Sequence, residues 1–193
     1  MPDDLLLKIA RVLGLLGLAL LIVSSIGGTL LASRTAQKIK FLKSKTFTYH
    51  RTMSIVGAAL FLLHPIPLLL AYATTGMHWW NIFVPFTAPK QGILIAWGTL
   101  AAYTLLVVVV SSLNIKKMPR RQWRILHYAS YAVLGLGLVH ALTISNEFAA
   151  YEPFRVEEPD KFLLAVVAVP LVLLLPLWRI VAARQRRLVR DIQ

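Results

Sequence analysis

No cysteine occurs anywhere in the 193 residues. That excludes disulfides, thiolate-held iron–sulfur clusters and covalent attachment of a c-type haem. Acidic residues are scarce, 8 against 21 lysines and arginines, and none falls inside a long apolar run. A proton-coupled transporter is therefore disfavoured, because it needs carboxylates or bases within its bundle. There is no glycine-rich nucleotide-binding motif, since the glycines lie inside apolar runs. The net charge of +13 does not point to nucleic acid. The basic residues cluster between and after the apolar runs, where they act as topology signals and as contacts for anionic lipid.

Apolar residues make up 58% of the chain and the mean hydropathy is +0.68. A soluble domain of this size has too little interior to bury that much. Five runs approach the roughly 20 residues needed to cross a hydrocarbon core. The expected helices run from about Leu7 to Ala32, Phe47 to Thr74, Gln91 to Leu113, Arg120 to Ser145 and Lys161 to Ala183. The expected fold is an all-α integral membrane bundle, one domain over residues 1–193. The first run is too long for a signal peptide and lacks a basic start, so it is expected to be retained.

The connections alternate in charge. Arg34, Lys38, Lys40, Lys43, Lys45 and Arg51 follow the first run, and Lys116, Lys117, Arg120, Arg121 and Arg124 precede the fourth. The tail, residues 179–193, carries Arg184, Arg186, Arg187 and Arg190. Glu147, Glu152, Glu157, Glu158 and Asp160 fill the last connection, against Arg155. The positive-inside rule puts the basic loops and the C-terminus in the cytoplasm and the N-terminus outside. Trp79, Trp80, Trp123 and Trp178 are expected in interfacial belts. Pro65 and Pro67 should kink the second helix, and Pro170 and Pro176 the fifth.

Four histidines fall in two spaced pairs on the second and fourth runs. His50 and His64 are 14 residues apart, and His127 and His140 are 13 apart. At about 1.5 Å per residue, each pair is separated by roughly 20 Å, too far for one zinc ion. Two large cofactors at two depths, each gripped by one histidine from each helix, satisfy the spacing. That points to two haems b. Both helices run in the same direction, so His50 pairs with His127 near the inner face and His64 with His140 toward the outer half. The 14-residue step returns to the same helix face, whereas 13 residues fall about 140° short of four turns. Rewinding or bending is required, and Gly135 and Gly137 would permit it.

Gly57, Ala58 and Ala59, with Gly135 and Gly137, would let a flat macrocycle approach the backbone, or they serve helix packing. Arg51, Arg124 and Arg121 are candidate partners for inner-haem propionates, and His78, Lys90 and Arg155 for the outer. His78 also fits a plain interfacial role beside the tryptophans. Two axial histidines leave no position for oxygen, so each site would carry electrons.

The stretches YHRTMSIVGAALFLLHP and RQWRILHYASYAVLGLGLVH resemble the ferric reductase-like transmembrane domain, over residues 35–145. That family includes ferric reductases, NADPH oxidases and bacterial haem subunits of the MsrQ type. The resemblance implies haem ligation by His50, His64, His127 and His140. It implies electron flow from a cytoplasmic flavoprotein, NAD(P)H-linked or quinol donor to an outer acceptor. The chain has no flavin or nicotinamide domain, so the donor is expected to be separate. A multi-pass protein of a bacterial plasma membrane, serving as a subunit of a redox complex in contact with lipid, is the expected setting. The alternatives are a membrane anchor or scaffold subunit and a stand-alone ferric-chelate reductase.

Overall fold

A computed structural model describes residues 2–32, 40–71, 76–89, 91–144 and 159–190. Every regular element among them is helical. α1 covers Pro2–Leu31, α2 Lys40–Leu63, α3 Pro65–Leu70, α4 Trp80–Phe83 and α5 Gly92–Leu113. α6 covers Arg120–Tyr128, α7 Ser130–Thr143, α8 Pro159–Leu163 and α9 Val169–Arg190. A 3₁₀ turn at Ile115–Lys117 leads toward α6, and a π-helical turn at Leu164–Ala168 joins α8 to α9. Arg34, Lys38, Thr74, Lys90, Ser145 and the acidic connection from Glu147 to Glu158, with Arg155, lie outside the described residues.

Five helical stretches are long and apolar enough to cross a membrane: Leu5–Leu31, Ser44–Leu70, Gly92–Leu113, Arg120–Thr143 and Lys161–Val181. They share one core, in which Leu18 and Ile22 of α1 meet Ala58 and Phe61 of α2, Leu105 of α5, Leu134 of α7 and Val172 of α9. Around it large apolar side chains face outward, Leu113 at 78% exposure and Leu70 at 68%. In water so much exposed apolar surface would drive association; in a bilayer it is the lipid-facing surface.

Prolines punctuate the second span as expected. α2 stops at Leu63 and α3 begins at Pro65, with His64 in the turn between. Pro65 and Pro67 have no N–H to continue the ladder. In the fifth span, Pro170 follows the π-helical turn, while α9 continues through Pro176. The fourth span is rewound where α6 gives way to α7, at Ala129 and not at Gly135 or Gly137. There the Ala129 N–H bonds Leu126 O at 3.1 Å, an i→i−3 closure tighter than an α-turn. Tightening adds about 20° of rotation per residue, the sense needed but only part of a 140° deficit.

α1 and α2 are antiparallel and closely packed. A Cβ at Gly17 would stand 2.7 Å from the Phe61 backbone nitrogen, and one at Gly57 would stand 3.0 Å from Leu20 Cβ. Only glycine permits that approach. Gly57 is thus occupied by packing against α1 and offers no free surface for a macrocycle.

Candidate functional site

The imidazoles of His50 and His127 face one another with ring centres 6.1 Å apart and planes at 81°. Those of His64 and His140 stand 6.2 Å apart at 57°. These contacts make the second and fourth spans co-directional. They also set the two pairs about four helical turns apart along α2.

Each ring is held by its Nδ1. Pro65 cannot donate to the Phe61 carbonyl, as an ordinary residue four positions on would. His64 Nδ1–H donates to that freed oxygen instead, at 2.5 Å. His140 Nδ1–H donates to Leu94 O at 2.8 Å, and His50 Nδ1–H to Ser24 O at 2.8 Å. The Ser24 hydroxyl also lies 2.9 Å from His50 Nδ1 and bonds Ser54 Oγ. His127 Nδ1 has the Ser112 hydroxyl at 3.4 Å, and its ring stacks on Trp123 at 4.9 Å and 22°. A carbonyl acceptor requires the proton on Nδ1, which leaves Nε2 with its lone pair free. That is the arrangement in which histidine binds metal.

Glycines seat the rings. A Cβ at Gly98 would come within 3.1 Å of the His140 ring, one at Gly28 within 3.1 Å of His50 Cε1, and one at Gly14 within 3.4 Å of His64 Cδ2. A Cβ at Gly135 would meet nothing within 4 Å, so that face is open, while one at Gly137 would meet Phe61 Cε2 at 3.2 Å. The 14-residue step from Gly14 to Gly28 repeats that from His50 to His64. It is the sequence signal that α1 belongs to the site, and it places the site beyond residues 35–145.

His64 and His140 border a cavity of about 660 Å³, which also touches Lys8, Arg11, Tyr103 and Lys161. Pockets that enclose sizeable ligands measure roughly 300–1,000 Å³. The nearby cations are therefore those of the first and fifth spans. Of the expected outer set, Lys90 and Arg155 lie outside the described residues, and His78 stacks on Trp80 at 4.1 Å and 7°. At the other pair Arg51 and Arg124 are exposed. The cation built in there is Arg179, which donates to Gly28 O at 3.3 Å and lies 5.8 Å from the centre of the Tyr128 ring. Trp123 is half-buried, and its indole Nε1–H finds no hydrogen-bond acceptor among the described residues.

No group of three or more His, Cys, Asp or Glu among the described residues could hold a metal ion. A metal at either pair would have two protein ligands. Two metal–nitrogen bonds of about 2 Å, plus roughly 1.1 Å from each nitrogen to its ring centre, separate two trans imidazole centres by about 6 Å. Both observed separations fit, and the remaining equatorial positions would need a planar ligand from outside the chain.

No curated protein and no solved structure matches the chain significantly. Residues 13–138 match the family described as the ferric reductase like transmembrane component. The match takes in Gly14, Gly28, His50, His64, Gly98 and His127 and stops two residues before His140. The chain belongs to the ferric reductase-like transmembrane family, whose members serve membrane redox and electron transfer.

Proposed function

We propose that this chain is a di-haem b membrane cytochrome that moves electrons across a bilayer. One haem would be held by His50 and His127, the other by His64 and His140. The observation that carries this is the pair of ring separations, 6.1 and 6.2 Å, with the Nδ1 of His50, His64 and His140 each turned to a backbone carbonyl. The cavity beside His64 and His140, about 660 Å³, gives a large ligand room there.

A haem held there would supply a one-electron carrier. The chain's part would be to hold that group between the paired imidazoles of His50 and His127 and of His64 and His140. The backbone carbonyls behind His50, His64 and His140 favour the Nδ1–H tautomer and raise the basicity of those rings. The two pairs at two depths shorten the crossing into hops between fixed stations.

The positive-inside pattern supports an external N-terminus and a cytoplasmic C-terminus, and the setting we propose is a bacterial plasma membrane. Electrons would then enter at His50/His127 from a separate flavoprotein, NAD(P)H-linked or quinol donor. They would leave at His64/His140 to an external acceptor. The whole of residues 1–193 would act as one electron-transfer subunit of a larger redox complex. The test uses purified protein in sealed vesicles, with an impermeant reductant trapped inside and ferricyanide outside. Ferricyanide reduction that requires the chain and is lost in His64→Ala supports the proposal. Reduction at the rate of empty vesicles refutes it.

A further inference from the structure

The pair formed by His50 and His127 has a cation built against it that ligation does not use. Arg179 of α9 is half-buried. It donates to Gly28 O at 3.3 Å and lies 5.8 Å from the centre of the Tyr128 ring. Gly28 is in turn against the His50 ring, since a Cβ there would come within 3.1 Å of His50 Cε1, and Tyr128 follows His127 in α6. The guanidinium is thus tied to the surroundings of both imidazoles and keeps its charge in one place. Both partners are neutral, so neither cancels that charge, and arginine does not lose its proton. The chain's acidic residues stand far from it. Asp3 and Asp4 open α1, at least about 36 Å along the axis from Gly28. Asp160 lies in α8, more than about 25 Å before Arg179 along the fifth span, and the glutamates belong to the connection from α7 to α8. Asp191 follows Arg190, which is roughly 16 Å along α9 from Arg179. Arg51 and Arg124 are exposed, where water and salt screen them.

We infer that Arg179 sets the reduction potential of the haem held between His50 and His127, raising it through a fixed positive charge. This rests on the haem reading above. Reduction adds one electron from the donor, so the charge of the metal centre falls by one. A fixed positive charge beside it disfavours the more positive, oxidised form and favours the reduced one. Arg179 is a positioning residue in this sense: it binds neither the metal nor a substrate and acts through its field. The 64/140 pair lies roughly 20 Å further along α2 and feels less of that field. The fifth span, which carries none of the four histidines, thereby tunes one end of the electron path and not the other.

The test is a potentiometric titration of the full-length holoprotein in detergent, with dithionite and ferricyanide, read from the low-spin absorbance bands. The 50/127 component is the one that survives in His64→Ala. At the potential where it is half reduced in the unaltered protein, Arg179→Gln should lower its ferrous-to-ferric ratio about tenfold, the scale of a unit charge about 10 Å away at an effective dielectric near 20. Arg179→Glu should lower the ratio about tenfold again, and Arg179→Lys should stay within about threefold of the unaltered protein. The 64/140 component should move by no more than about threefold in any of them. A loosened site would lower all three variants alike, whereas the field predicts a step that follows the charge. An unchanged 50/127 midpoint in Arg179→Gln and Arg179→Glu overturns the inference, and so does an Arg179→Lys midpoint as low as that of Arg179→Gln. Loss of the 50/127 low-spin signal in Arg179→Gln also overturns it, because the residue would then support the site and not tune it. Absence of any low-spin signal in the unaltered protein overturns the haem reading itself, and this inference with it.

Discussion

The two histidine pairs share a ring separation and differ in almost everything around it. The 64/140 rings are backed by main-chain carbonyls, one of them released by Pro65 and the other, Leu94 O, reached across Gly98. They open on a cavity with Lys8, Arg11 and Lys161. The 50/127 rings sit among hydroxyls, Ser24, Ser54 and Ser112, with Trp123 stacked on one side and Arg179 bonded to the adjoining Gly28 carbonyl. One end of the molecule is thus built from backbone constraint and the other from side-chain polarity. Two haems held in such different surroundings would acquire different potentials, and a difference of that kind would give electron flow a direction.

The largest break in the comparison is removal of a ligand. His64→Ala or His140→Ala should cut haem content to about half that of the unaltered protein by pyridine haemochrome assay and abolish transmembrane transfer. The 50/127 spectrum should survive. Full haem content in either variant contradicts the pairing. Next in size is Gly98→Leu, since even a Cβ would lie 3.1 Å from the His140 ring. It should empty the 64/140 site and leave the other filled, as read by the same assay.

Gly17→Ala tests the frame common to both pairs. Its Cβ would meet the Phe61 backbone at 2.7 Å, forcing α1 and α2 apart at about 1–3 kcal/mol. Thermal unfolding in detergent should show a lower midpoint, with both haem signals lost together.

Pro65→Ala restores an N–H that competes for the Phe61 carbonyl. It should weaken haem binding at the 64/140 site by about 10–100-fold, the usual cost of losing a partner behind a ligating histidine. Ser24→Ala is the smallest. It removes a hydroxyl but keeps the Ser24 carbonyl that holds His50. Haem titration should show a change of no more than a few-fold at 50/127. An effect as large as that of Pro65→Ala would mean the hydroxyl, and not the carbonyl, fixes the ring.

Length and hydropathy suffice to locate all five spans, because crossing a bilayer demands them. The kink at Pro65 is equally plain, since a missing N–H has one consequence. The role of α1 is harder to see. Gly14 and Gly28 look like any small residues in an apolar helix until His64 and His50 are set against them. Lys8, Arg11 and Lys161 stand near span ends, where cations also serve topology, so their place in a cavity depends on how the first and fifth spans close around α2 and α7. Arg179 hides in the same way at the edge of a basic tail. The tightening of the fourth span falls at Ala129, a residue whose type gives no signal of it. Glycine content alone directs attention to Gly135 and Gly137 instead.

Haem iron per chain, measured together with the low-temperature electron paramagnetic resonance spectrum of the oxidised protein, bears on the central claim most directly. The account requires two irons per polypeptide, both low-spin with two nitrogenous axial ligands, and with distinct signals for the unequal surroundings. A colourless protein, a single iron, or a high-spin signal in the freshly purified chain would contradict it.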